Sequence, residues 1–126
     1  MVYDFVMNDS PFTEDRKVHE NEHAFSLFDS YPVTEGHMLV VPKRRVSEVF
    51  ELTDKEYKAC FDLVKIVKDY LKDKHRTNSF NIGINCGADA GQTIFHAHIH
   101  VIPRYKDDVP NPRGGVRNVI PDKADY

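Results

Sequence analysis

Gly91-Gln92-Thr93-Ile94-Phe95-His96-Ala97-His98-Ile99-His100-Val101-Ile102 is the stretch from which the rest of this chain can be read. Successive side chains of a strand point to opposite faces, so His96, His98 and His100 are expected on one side and Ala97, Ile99 and Val101 on the other, against a core. The pattern predicts a strand over Thr93 to Pro103 that carries three imidazoles along one exposed ridge. One histidine on a strand is most simply a surface or hydrogen-bonded core residue. Three in strict alternation point to chemistry, of two kinds. Neutral imidazoles bind metal ions, but strand rise sets positions i and i+4 about 13 Å apart, so His96 and His100 cannot converge on one ion without a distant ligand such as His37. Alternatively an imidazole nitrogen attacks phosphorus while its neighbours orient the ring and hydrogen-bond the phosphoryl oxygens, which requires closeness along a ridge and no convergence.

The flanking sequence supplies a frame for that ridge. Phe80, Ile82 and Ile84 alternate with Asn81, Gly83 and Asn85, predicting a strand that pairs antiparallel with the histidine segment through the flexible turn Gly87-Ala88-Asp89-Ala90-Gly91. Thr53-Asp54-Lys55-Glu56 has the capping-box pattern, so a helix should start there and end near Lys74. Tyr57, Cys60, Phe61, Val64, Val67 and Leu71 form its expected apolar stripe, and the lysines and aspartates between them a solvated face. Val18 to Glu20 and Ala24 to Asp29 read as a hairpin about Asn21-Glu22, and Met38-Leu39-Val40-Val41, stopped by Pro42, as a buried third strand. The lead segment, residues 1–16, is polar and expected to be irregular or briefly helical. Residues 106–126, rich in proline and glycine, are expected to form a tail lying across the surface. No internal repeat or low-complexity tract is present.

Composition narrows the field further. A chain of 126 residues, 40% hydrophobic, supports one domain with a core, so fold and site share it. Seventeen basic against 20 acidic residues, a net charge of −3, leave no basic excess to grip a nucleic-acid backbone, although a small anion needs only local donors. The first residues offer neither a basic leader nor a long apolar run, and no stretch approaches the ~20 apolar residues of a membrane span, so a soluble cytoplasmic protein without a membrane partner is expected. Cys60 and Cys86 form no Cys-x-x-Cys pair and read as small hydrophobes of a reducing compartment.

His-x-His-x-His followed by the apolar pair Val101-Ile102 closely resembles the signature of the histidine-triad, or HIT, family. The resemblance extends through Asn85, the glycine turn, Gly91-Gln92-Thr93 and Pro103-Arg104, and through Phe25 to Asp29, Pro32, Gly36-His37 to Lys43 and the capped helix, covering roughly residues 18 to 104. It implies an α+β fold in which an antiparallel sheet of about five strands is covered by one long and one short helix, with residues 1–105 as the domain, and a homodimer. It implies that His98 is the nucleophile forming a nucleotidyl-histidine intermediate, that His100 contacts the α-phosphate, and that His96 and His37 help hold the site, with a backbone carbonyl fixing the tautomer of His98. Asp29 matches the acceptor for the ribose hydroxyls, Leu27 and Phe28 the wall of the base pocket, and Asn85, Gly91, Gln92 and Thr93 the donors to phosphates and leaving group. Read singly, Asp29 is equally a turn cap, Asn85 a satisfied strand edge, and Gln92 a residue that shapes its loop; of Leu27 and Phe28, at least one belongs to the core.

The substrate reading that follows is hydrolysis of dinucleoside polyphosphates, favoured by Pro103-Arg104 after the triad. The alternatives are hydrolysis of adenosine 5′-phosphoramidate and a nucleotide-binding regulatory role without catalysis. No cofactor is expected beyond a divalent cation carried in with the nucleotide. Some relatives place a structural zinc on an N-terminal Cys-x-x-Cys, whereas this lead segment has no cysteine, so no structural zinc is expected. Arg113 and Arg117 are candidates to reach a polyphosphate from the tail, which reads equally as solvated or dimer-packing.

Overall fold

A computed structural model describes residues 10–126. What was expected of residues 1–9 in the lead segment lies outside the described residues. The chain runs through β1 (His19–Glu20), β2 (Ala24–Phe28), β3 (Met38–Pro42), α1 (Asp54–His75), β4 (Ser79–Gly83) and β5 (Ile99–Arg104), joined by 3-10 turns. The five strands form one antiparallel sheet in the order β1-β2-β3-β5-β4. The architecture is α+β with one long α-helix among the described residues; the shorter helical pieces are 3-10 turns such as Glu14–Arg16 and Val49–Glu51.

The helix begins where its cap demands. Thr53 Oγ1 accepts from the Glu56 N–H at 3.2 Å, while Glu56 Oε1 accepts from the Thr53 N–H at 2.9 Å. Glu56 is buried, and Arg44 grips both its carboxylate oxygens at 2.8 and 2.9 Å, holding its carboxyl down to about 2. Arg76, in the left-handed region at φ 54°, ends the helix. Cys60, Leu63, Val64, Val67 and Leu71 bury against Ala24, Met38, Val40, Ile99 and Val101 of the sheet. Each leucine or valine so covered contributes about 1.5–3 kcal/mol of transfer free energy. Tyr57 and Phe61, expected in this stripe, are instead more than a third exposed, because the buried face is centred on Leu63 and Val67 and they lie at its margin.

The opposite face of the sheet is covered from the lead segment. Phe12 packs with Phe25, Leu27, Leu39 and Val41, so β2 and β3 are buried on both faces, which is why they read as near-continuous apolar runs. Arg16 ties this segment down by donating to Pro11 O, Phe28 O and Ser30 Oγ at 2.8–2.9 Å.

The histidine segment departs from its expected form. Its strand starts only at Ile99, where pairing to Val40 of β3 begins, and residues 93–98 are irregular. Freed from strand alternation, His96 turns inward and is 1% exposed, so the three imidazoles do not share one exposed ridge.

The tail is also more ordered than expected. The 3-10 turn Gly115–Val119 folds against β4, a second, Pro121–Lys123, packs on the first, and Ala124 is buried. Gly114, at φ 88°, has no room for a Cβ beside the Ala124 carbonyl.

Candidate active site

A cavity of about 300 Å³ opens where the irregular segment meets the ends of β2 and β3. The lead segment contributes Phe12 and Arg16 to its walls, the turn after β2 contributes Phe28, Asp29 and Tyr31, and the loop before β5 contributes Asn85, Gly91, Gln92 and Thr93, with His37, His98 and His100 at its centre.

Local hydrogen bonds decide what each imidazole can do. His98 Nδ1 stands 2.8 Å from its own chain's His96 carbonyl, so Nδ1 carries the proton and donates. Nε2 therefore keeps its lone pair, and no described residue hydrogen-bonds to it in the cavity. The edge of Phe12 lies against this ring at 4.9 Å between centroids. Burial pulls the His98 pKa below its ordinary value, with the His96 carbonyl opposing, so the ring is neutral near pH 7.

A second relay orients His100. The Val33 N–H donates to His37 Nδ1 at 3.1 Å, which leaves the proton of His37 on Nε2. That N–H points to His100 Nδ1 at 3.0 Å, with Asp29 Oδ2 3.4 Å away, so the proton of His100 sits on Nε2, available to a phosphoryl oxygen. Burial, with the neighbouring His98 and His37, pulls His100 down to about 4. It donates a hydrogen bond without carrying charge.

The bend that delivers His37 has its own support. Gly36 adopts φ 90°, and a Cβ there would meet the His75 ring at the end of α1, within 2.7 Å of Nε2. Tyr105 donates to the Glu35 carbonyl from the other side, and its ring packs edge-on against His75.

His96 is different in kind. Its Nε2 donates to the Pro42 carbonyl at 2.9 Å and its Nδ1 accepts from Ser10 Oγ at 2.7 Å. Both nitrogens are spent inside the protein, so its contribution is to fix the loop whose carbonyl orients His98.

The remaining expected residues divide similarly. Asp29 caps its turn, with Oδ1 accepting from the Tyr31 N–H at 2.8 Å, while Oδ2 faces His37 at the cavity. Phe28 is about one-third exposed and lines the cavity, with the Lys74 ammonium 5.5 Å from its ring centre. Leu27 does not line it; fully buried, it packs in the cluster behind Phe12 and Leu39. Asn85 and Thr93 are exposed at the rim, and Gly91 beside them adopts φ 92°. Gln92 is a second correction. It is buried, its Oε1 accepts from the Gly87 N–H at 2.9 Å, and its Nε2 donates to Ser47 O and Ile94 O at 2.6 and 3.1 Å, so its amide shapes the loop and has no donor left for a phosphate.

Sequence reasoning passed over Ser10, Phe12 and Arg16 as an uninformative lead. The one available signal was Phe12, a large apolar side chain in a polar stretch.

For a metal ion, the described residues offer one cluster: the ligand atoms of Asp29, His37 and His100 lie within 4.8 Å of one another. The two imidazoles already hydrogen-bond to each other, with Asp29 Oδ2 3.4 Å from His37 Nε2, so an ion would have to displace the proton between the rings. His96 takes no part, as its turn into the core removes it from any shared ion. Arg113 and Arg117 do not line the cavity either; their guanidinium groups lie over the Tyr126 ring at 4.8 and 5.0 Å from its centroid, and Arg113 pairs with Asp125 at 3.2 Å. Among the described residues, no helix is long and apolar enough to cross a membrane.

The chain is similar to known proteins along most of its length. A family model described as the HIT domain matches residues 11–107. Protein hit of Bacillus subtilis is 40% identical over 89 residues, 71% of this chain and 61% of that protein. The asymmetrical bis(5′-nucleosyl)-tetraphosphatase of Schizosaccharomyces pombe is 42% identical over 77 residues, 61% of this chain and 42% of that one. The chain thus spans less than two thirds of the length of these curated relatives. The crystal structure of the Caenorhabditis elegans NitFhit protein superposes with a TM-score of 0.73 at 37% identity, covering 87% of this chain and 26% of that one. With the model spanning the site and most of the chain, this protein belongs to the HIT-domain family.

Proposed function

We propose that this protein hydrolyses dinucleoside polyphosphates at an α-phosphate through a nucleotidyl-histidine intermediate. The observation that carries the reading is His98, whose Nε2 lone pair faces the cavity while Nδ1–H is held by the His96 carbonyl at 2.8 Å. In the first step Nε2 bonds to the α-phosphorus, the bridging P–O bond breaks, and the departing nucleoside polyphosphate takes the electron pair. The imidazole becomes cationic, and the carbonyl on Nδ1–H stabilises that charge. In this reading His100 Nε2–H and the Asn85 amide, both lining the cavity, donate to phosphoryl oxygens as charge builds on them. In the second step water adds to phosphorus, the P–N bond returns its electrons to Nε2, and a nucleoside monophosphate and a proton leave. Asp29 Oδ2 accepts from the ribose, and Phe28 with Phe12 forms the apolar wall for the base. The Schizosaccharomyces pombe relative, named for cleavage of a bis-nucleosyl tetraphosphate, supports this substrate class.

The same reading carries further elements. The protein acts in the cytoplasm as a homodimer, engages no nucleic acid, carries no structural zinc, and meets a divalent cation only as part of its substrate. Light scattering showing monomer alone, or stoichiometric zinc by elemental analysis, would remove the corresponding element. The primary test is steady-state release of AMP, with chelator present, from diadenosine tetraphosphate and separately from adenosine 5′-phosphoramidate, by wild type and by His98→Ala. Preferential cleavage of the first, lost in the variant, is expected. Preference for the phosphoramidate would move the reading to that reaction, and turnover of neither would favour a binding role.

A further inference from the structure

We infer that the folded tail completes a second subsite, one that receives the nucleoside of the departing half of the substrate; the inference rests on the substrate class proposed above. A groove of about 450 Å³ adjoins the active-site cavity and shares Val33, His37, Asn85 and His100 with it. His98 lines the cavity and not the groove. Phosphoryl transfer proceeds with attacking and leaving groups roughly in line through phosphorus, so a group expelled by His98 departs on the far side, past His100 and Asn85, into this groove.

The lining states what the groove accepts. Asn81, Gly83, Ile102, Val116, Asn118 and Val119 combine an apolar surface with two amides, and among the described residues no lysine, arginine, aspartate or glutamate faces it. Flat, uncharged, hydrogen-bonding ligands suit such walls: a nucleobase with its ribose, in preference to a free polyphosphate chain. Gly83 leaves room, with no atom within 4 Å of where its Cβ would stand. Val116 and Val119 are 64% and 77% exposed in a tail otherwise rich in charge, and they overhang the groove without covering partners among the described residues. The tail is held in this position by Gly114 against the Ala124 carbonyl and by Arg113 and Arg117 about Tyr126, so its wall is formed before substrate arrives.

The test compares kcat/KM for diadenosine tetraphosphate with that for adenosine 5′-phosphorofluoridate, whose leaving group is a single atom, in wild type, Val119→Glu, Val116→Glu and Val119→Ala. Both valines are exposed, so the substitutions leave the core intact. Each glutamate is expected to lower kcat/KM for the dinucleotide roughly tenfold or more, chiefly through KM, while the fluoridate stays within about twofold. Val119→Ala should fall between. Equal losses on both substrates, or no loss on either, would overturn the inference. Loss accompanied by dissociation of a dimer in light scattering would overturn it too, by assigning the face to a second copy of the chain. Wild type that cleaves the fluoridate and not the dinucleotide removes the subsite while sparing the His98 chemistry, whereas cleavage of neither removes both.

Discussion

Two ends of the same three-histidine segment behave as different materials. At the buried end, His96 uses both ring nitrogens on Pro42 O and Ser10 Oγ and is a structural cross-link. At the cavity end, His98 and His100 each spend Nδ1 on the protein and keep Nε2 for a ligand, one as lone pair and the other as N–H. The residue type and spacing are the same throughout. What separates them is which nitrogen the surroundings leave unspent, and hence which atom can do chemistry.

The sharpest way to break this comparison is at His98. Replacing it with alanine removes the only Nε2 lone pair assigned to attack, and kcat should fall about ten-thousandfold with nucleotide binding retained, measured by single-turnover assay and calorimetry. His100→Ala should cost about a hundredfold in kcat, because a donor to the developing phosphoryl charge is lost while the nucleophile remains. If the two losses were equal, the division of roles between lone pair and donor would fail.

His96→Ala probes the other end. It leaves a cavity and strands a carbonyl and a hydroxyl, so stability should drop by about 2–4 kcal/mol, read as a lowered urea midpoint, with a smaller effect on kcat at low temperature than either cavity histidine. Activity abolished without destabilisation would place His96 among the reacting groups.

The pH dependence sharpens the contrast from a different side. His37, His96, His98 and His100 all have folded pKa values pushed below the ordinary 6.5, chiefly by burial. The unfolded chain therefore binds more protons than the folded one between those values and about 6.5, so stability should be full above pH 6.5 and lost as pH falls toward about 4, where His100 titrates. Urea midpoints across that window check it. Nucleophilic activity should persist below pH 6.5, because neutral His98 persists there. The smallest expected effect is at Phe28→Ala, which should raise KM several-fold with kcat nearly unchanged, by removing part of the base wall.

Much of the frame was legible because its signals are local. The capping box at Thr53 and Glu56, the apolar run Met38 to Val41 and the alternation from Phe80 each follow from backbone geometry within a few residues, and each element stands within one or two residues of its expected bounds. Asp29, His37, His98 and His100 do meet in one cavity. The failures share one cause. The strand over Thr93 to Pro103 was too long, because tertiary demands at Val46 O, Pro42 O and Ser10 Oγ pull residues 96 and 97 out of the pleat. Gln92 and Leu27 lie where the motif places them, but their side chains are used by partners distant in sequence or hidden behind Phe12.

What the sequence alone determined is an α+β sheet-and-helix frame, a triad of histidines and the family they signal, because strand and helix periodicity and short motifs act over neighbouring residues. Only the tertiary structure decided which ring nitrogens of the three histidines are spent inside the protein and which face the cavity, brought Phe12 and Arg16 of the lead segment to the cavity, and set the tail beside His100. Those outcomes depend on hydrogen bonds and packing between residues up to 86 positions apart, as from Ser10 to His96, and no local pattern encodes the atom at the other end.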